Sequence, residues 1–78
     1  MKTMMQINLE LLKKLKKDYP HGCHVVLIKM SDEPRKDMVQ GLTGEVMFVD
    51  DAGGIHVAWS NGSTLAAIHG IDVIRRID

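Results

Sequence analysis

Hydrophobic residues near the start of the chain recur at the spacing of an amphipathic helix. The apolar stripe consists of Met4, Ile7, Leu11, Leu12 and Leu15. At 100° per residue, Lys13, Lys14 and Lys17 fall on the opposite side. The pattern therefore predicts a helix that packs through its leucine-rich stripe. Its lysines form either a solvated face or a docking surface for an acidic partner.

The ends of this helix are marked by local signals. Thr3 and Gln6 have the T-x-x-Q spacing of a capping box, in which two side chains satisfy free backbone N–H groups. Pro20 disfavours helical backbone angles at Tyr19. We therefore predict an N-terminal helix over residues 1–18.

From Cys23 onward the hydrophobic pattern changes to short runs typical of strands. The five predicted strands cover residues 24–30, 43–49, 55–60, 63–68 and 72–77. A long polar loop containing Pro34 separates the first two, and Asn61-Gly62 predicts a type I′ hairpin turn because both positions tolerate positive φ. The pattern favours a mainly β (α+β) fold: a small closed or half-open five-stranded barrel over residues 23–77.

The first two predicted strands are apolar on both faces, whereas a barrel interior accepts only one residue of each neighbouring pair. The predicted core consists of Val25, Leu27, Val46, Phe48, Ile55, Val57, Trp59 and Leu65. The opposite face, which includes Val26 and Ile28, then needs a cover, and the helix stripe is the natural candidate. Any part left uncovered predicts an apolar patch for a partner.

Length and charge narrow the class of protein. A chain of 78 residues with 45% hydrophobic residues is expected to form one domain, 1–78, with a small core. Ten basic and ten acidic residues give a formal net charge of zero, which argues against a dedicated duplex-DNA binder. Residues 1–18 nevertheless carry five lysines against two acidic residues, so a basic tip is expected on an acidic body.

Cysteine usage and hydropathy predict where the protein works. Cys23 is the only cysteine, which excludes an internal disulfide and favours a reducing compartment. No signal-peptide pattern and no long apolar run are present in the sequence. We expect a cytoplasmic protein of a bacterial host cell that has no membrane partner.

Four segments resemble a known family. The segments "YPHGCHVVLIKM", "GLTGEV", "VDDAGGIHVAWSNGSTLA" and "GID" are similar to an uncharacterised family of small proteins from phages and mobile elements of Gram-positive bacteria. The resemblance covers nearly the whole chain and implies an SH3-like β-barrel with an N-terminal helix. The chain departs from the family pattern at Ser60, at His69 and over residues 38–40. His21 and Cys23 are not part of the usual pattern either, so a function particular to this protein is expected near His69, His21 and Cys23.

The resemblance also implies a function. Small phage proteins without a structural or catalytic role are often inhibitors of host defences, so it implies a non-enzymatic interaction protein that binds a host protein. The implied example is an anti-CRISPR inhibitor of a Cas nuclease. The residues expected to bind the partner are Lys13, Lys14, Lys17, Val26 and Ile28.

The alternative function is a nucleic-acid-binding accessory protein with an SH3-like barrel. Proteins that bind single strands stack bases on aromatic side chains in a basic groove. The only aromatic residues are Tyr19, Phe48 and Trp59, and the last two fall in the predicted core. The sequence therefore argues against nucleic acid as the partner. Neither the oligomeric state nor the partner's identity is predicted.

A cluster of metal-ligand residues lies at the start of the first strand. His21, Cys23 and His24 are three residues of the types that zinc prefers, and His56 on the central hairpin is the candidate fourth ligand. The reserve ligands are His69, Asp50 and Asp51. The sequence thus predicts a closed, structural zinc site, with surface histidines beside a buried thiol as the alternative.

Catalytic patterns are weak. Cys23 and His24 are neighbours in sequence and rarely present the geometry of a nucleophile and its base. Asp50 and Asp51 sit in a predicted turn, where carboxylates more often accept bonds from backbone N–H groups. We therefore expect a protein that is not an enzyme.

Overall fold

The computed structural model describes residues 8–30 and 37–78 of the chain. Within these residues, one helix is followed by five strands. The elements are α1 Leu9–Asp18, β1 His24–Lys29, β2 Thr43–Val49, β3 Gly54–Trp59, β4 Ala66–Ile68 and β5 Val73–Arg76. The predicted mainly β class with an N-terminal helix is confirmed.

Helix α1 is capped by Asn8, whose side-chain oxygen accepts hydrogen bonds from the N–H groups of Glu10 (2.8 Å) and Leu11 (3.2 Å). Asn8 itself has extended backbone angles, so a continuous helix through residue 8 is wrong. The predicted capping residues Thr3 and Gln6 lie outside the described residues, as does Pro34. The predicted end of the helix at Asp18 is confirmed.

The strands form one antiparallel sheet in the order β4-β3-β2-β1-β5. The sheet is open, with β4 and β5 at its edges. A bridge between His69 and Asp72 lies in the turn that joins these two edge strands. No described helix is long and apolar enough to cross a membrane.

Most of the predicted core is confirmed. Six of the predicted residues are buried: Val25, Leu27, Val46, Ile55, Val57 and Trp59. The prediction that Phe48 is a core residue is wrong, because 52% of its surface is exposed. Val46 pairs with Val57 and Phe48 pairs with His56, so Met47 is an extra residue that shifts the register. This β-bulge moves Phe48 to the outer face and Val49 to the core.

Leu65 is also wrong as a core residue, with 37% of its surface exposed. It lies in the turn before β4, where its N–H donates to the Ser63 hydroxyl and its carbonyl accepts from the Trp59 indole (2.9 Å). Because these bonds hold residues 63–65 in a turn, the predicted strand over 63–68 is shortened to β4.

The helix covers the core face of the sheet. Leu15 is 4% exposed and belongs to the same buried cluster as Val25 and Leu27. Val26 and Ile28 stay half-buried outside this cluster. The prediction that the helix covers Val26 and Ile28 is therefore wrong, because the helix packs on the inner face of the open sheet, which the strands alone leave uncovered.

Candidate functional site

The turn between β2 and β3 is organised by Asp50. Its Oδ1 accepts hydrogen bonds from the N–H groups of Ala52 (2.9 Å) and Gly54 (2.8 Å), and its Oδ2 accepts from His56 Nε2 (2.7 Å). Burial opposes the charged Asp50 carboxylate, but these bonds outweigh it and lower its pKa. The predicted turn-capping role of this aspartate is confirmed.

His56 and Phe48 form an aromatic stack on the outer face of the sheet. Their ring centroids are 4.3 Å apart and their planes differ by 10°. His56 is oriented by its bond to Asp50, and Phe48 faces it directly across β2 and β3. An oriented imidazole therefore supports one face of a half-exposed phenyl ring.

A shallow cavity of about 260 Å³, here called the Phe48 slot, lies beside this stack. It is lined by Lys16, Tyr19, Pro20, His21, Met47, Phe48 and Val49. His21 Nδ1 donates to the carbonyl oxygen of Met47 at the bulge (2.9 Å), which ties the end of the helical segment to β2. Burial raises the pKa of the Tyr19 phenol.

The predicted partner-binding lysines lie on the exposed side of α1. Lys14 is paired with Asp18 (2.8 Å), and its pKa is raised by that hydrogen bond. Lys13 and Lys17 are exposed one helical turn apart. Lys16, which was not predicted, lines the Phe48 slot and pairs with Asp51 (3.2 Å).

A larger groove of about 400 Å³ lies between α1 and the turn joining the edge strands. Its floor includes Leu11, Leu15, Ala67 and Ile74, and His69 stands on its rim. The groove is apolar, and its charged rim groups have both signs. It lies over the sheet's inner face and not over Val26 or Ile28.

The structure does not bring together the four predicted zinc ligands. His21 bonds to Met47 and His56 to Asp50, whereas His24 donates to the carboxylate of Asp78. Cys23 and His24 lie on opposite faces, as expected for neighbours in an extended chain. Burial raises the pKa of the Cys23 thiol, which disfavours the thiolate that binds metal.

The reserve ligands are separated as well. Asp50 is engaged in its turn, Asp51 pairs with Lys16, and the exposed His69 lies at the edge-strand turn. Among the described residues, no three histidine, cysteine or acidic side chains are grouped as metal ligands. The present arrangement therefore does not fit the predicted four-ligand site.

The sequence does not predict the contact of Asp78 with His24 or the exposure of Phe48. Asp78 accepts from both the backbone N–H and the imidazole of His24, and the hydrogen bond to its side chain raises the pKa of His24. The exposure of Phe48 depends on the bulge at Met47. Its only sequence signal is the run of apolar residues over 46–49, which breaks strict alternation.

Comparison with known protein families gives a match over most of the chain. The family model described as "Domain of unknown function (DUF4314)" matches residues 8–77, which include the helix, all five strands and the Phe48 slot. No curated protein and no solved structure matches the chain. Because the match spans most of its length, the chain belongs to the DUF4314 family.

Proposed function

We propose that this protein is a non-enzymatic interaction domain that binds a host protein and inhibits it. The observation that carries this proposal is the half-exposed Phe48 ring, which lines a small apolar slot beside the lysines of α1. Exposed aromatic side chains next to a cavity are typical of binding surfaces, where aromatic residues contribute much of the affinity. The exposed basic side chains favour an acidic partner.

The resemblance described above adds the biological setting. It supports an SH3-like barrel and an origin in a phage or other mobile element. The specific form of the proposal is an anti-CRISPR protein that binds a Cas nuclease in the cytoplasm of the host bacterium. This setting rests on the resemblance, whereas the binding surface rests on residues 16–21 and 47–56.

A pull-down from host lysate tests the proposal. We expect the tagged full chain to capture one host protein in stoichiometric amount, identified by mass spectrometry. Adding the purified chain should then reduce that protein's activity in proportion to the complex formed. The tag alone is the control. If no host protein is retained above the tag control, or if the captured protein keeps full activity in the complex, the proposal is wrong.

A nucleic-acid-binding accessory protein is the second candidate. It is favoured by the stack of Phe48 on His56, because an exposed aromatic ring near lysines is the arrangement on which single-stranded bases stack. Retention on heparin and on immobilised single-stranded DNA at moderate salt tests this candidate. Binding there, lost in Phe48→Ala, would favour it over a protein partner.

Structural zinc remains a proposal from the sequence. Binding through His21, Cys23, His24 and His56 would require the His24–Asp78 and His56–Asp50 pairs to open. Elemental analysis of protein purified without a polyhistidine tag tests it. About one equivalent of zinc, together with a fall in melting temperature on adding chelator, supports the proposal, and less than about a tenth of an equivalent refutes it.

A further inference from the structure

The Phe48 slot has the size and lining of a pocket for one side chain. Its volume of about 260 Å³ lies below the range of roughly 300–1,000 Å³ typical of small-molecule sites. Its walls are largely apolar, and Met47 supplies a flexible, polarisable surface at the bulge. Since His56 holds one face of the Phe48 ring in place, the slot has a preformed aromatic wall.

Three lysines of α1 lie at or near the slot. Lys16 lines the slot, and Lys13 lies one turn earlier on the same side of α1, with Lys17 next to Lys16. Asp51 pairs with Lys16 but is itself highly exposed, so this contact is weak and readily replaced. An acidic group on a partner would therefore find exposed ammonium groups at the mouth of an apolar slot.

Two features favour a protein segment over a nucleic acid here. Asp50 and Asp51 lie at the turn that carries His56, where they repel a continuous phosphate backbone. The chain has no net positive charge, and its stack is a single platform without the succession of aromatic rings that tracks a strand. A protein segment needs only one aromatic platform, and its few separate carboxylates can lie at the lysines without continuing past the two aspartates, as a phosphate backbone would.

We propose that the Phe48 slot takes an aromatic side chain from an acidic segment of the protein partner, whose carboxylates bind Lys13, Lys16 and Lys17. This inference rests on the proposed function and names the surface and the chemistry of the partner. The aromatic anchor stacks on the free side of Phe48 and contacts Met47 and Val49. The carboxylates displace Asp51 from Lys16 and set the orientation of the segment.

The test uses the full chain labelled with ¹⁵N and short synthetic peptides. The probe peptide carries one central phenylalanine between acidic residues. One matched peptide replaces that phenylalanine with alanine, and another replaces the acidic residues with lysine. We expect the probe to shift the backbone amide signals of Met47, Phe48 and Val49, and both matched peptides to bind about tenfold more weakly or worse.

Variants locate the interaction. Phe48→Ala and the double change Lys13→Glu with Lys17→Glu should each weaken binding of the probe about tenfold. Val73→Ala and Lys29→Glu are the matched controls, because both alter exposed residues away from the slot, and binding should stay within about twofold. The same spectra show whether each variant is folded.

Three results overturn the inference. One is equal binding of the phenylalanine and alanine peptides, and another is probe binding that survives Phe48→Ala. The third is a response of these amides to an oligothymidylate while the acidic probe gives none, which assigns the slot to nucleic acid.

The proposed function is judged separately. A host protein that is captured and inhibited equally by the wild-type chain and by Phe48→Ala removes the slot from the interaction while the inhibitory function stands. The absence of any captured protein refutes the function itself, whatever the peptides do.

Discussion

Asp50 is the residue on which the β2–β3 turn depends. Its carboxylate accepts from two backbone N–H groups and from His56, and a Cβ at position 54 would lie only 2.6 Å from its Oδ2. We expect Asp50→Ala to lower the free energy of unfolding by about 1–3 kcal/mol, because it leaves these donors without their acceptor. Urea unfolding followed by Trp59 fluorescence measures the change.

Asp51→Ala is the matched control for this substitution. Asp51 pairs with Lys16 on the surface, so its removal should cost less than about 1 kcal/mol. Equal losses at the two positions would contradict the central role of Asp50. Since the folded pKa of Asp50 is lowered, its contribution exists above the unfolded value and should disappear as the pH falls through the folded pKa, below about 4.

His24, which pairs with Asp78, responds to pH in the direction opposite to Asp50. The hydrogen bond and charge of Asp78, with a smaller contribution from Glu45 on β2, raise the pKa of His24. Arg76 also contacts Asp78. The side chains of His24 and Asp78 are each about half exposed. The contribution of protonated His24 is therefore full below the unfolded histidine pKa of about 6.5 and is lost as the pH rises through the higher folded value. His24 in turn lowers the pKa of Asp78, so the pair is also lost in acid, once the pH falls through that lowered value.

We accordingly expect the melting temperatures of wild type and His24→Ala to differ more at about pH 5.5 than at about pH 8.5. Thermal unfolding in matched buffers at the two pH values measures this difference. The control is His69→Ala, which removes an exposed histidine outside the pair. A difference in melting temperature between wild type and His24→Ala that is larger at high pH would rule out stabilisation by protonated His24.

At the scale of elements, Gly44 sets the distance between β2 and its neighbours. A Cβ at this position would lie 2.5 Å from Val57 Cγ1 and 2.9 Å from the carbonyl oxygen of Ala58. We expect Gly44→Ala to lower the free energy of unfolding by about 1–3 kcal/mol, because the buried sheet cannot widen without losing packing. Glu45→Ala, on the exposed face of the same strand, should stay within about 0.5 kcal/mol in the same urea experiment. Comparable effects would contradict this steric account.

The same strand shows what alternation predicts and where it fails. Val46 is buried as the two-residue period requires, but the bulge at Met47 reverses the faces of Phe48 and Val49. A one-residue slip moves every later side chain to the other face. Sequence periodicity therefore predicts the strand and half of its core. It cannot predict the exposed ring of the Phe48 slot, because the bulge depends on pairing with β3.

At the scale of the molecule, strand pairing also determines whether the predicted zinc ligands meet. In the sheet, His24 lies opposite Glu45, and Glu45 lies opposite Ala58. His56 instead lies opposite Phe48. His24 bonds to Asp78 and His21 bonds to Met47, and each partner is distant in sequence from its histidine. Residue types near the first strand indicate candidate chemistry, but only the register determines which side chains meet.

The helix and the sheet should unfold together. Leu15 of α1 is 4% exposed in the cluster that holds Val25, Leu27 and Val57, so the helix completes the only core that the described residues form. We expect Leu15→Ala to cost about 2–5 kcal/mol, because it opens a cavity between helix and sheet. Leu9→Ala, at a position that is 71% exposed, should change stability by less than about 0.5 kcal/mol.

Two probes test whether this loss is shared by the whole molecule. Trp59, the only tryptophan, is buried on β3 and donates its indole N–H to Leu65, so its fluorescence reports on the sheet. Circular dichroism reports on the helix. Because one core joins the two, both signals should give the same urea midpoint in wild type, and Leu15→Ala should lower both midpoints equally. A helical signal lost at lower urea, with Trp59 fluorescence unchanged, would instead make α1 a separately unfolding segment.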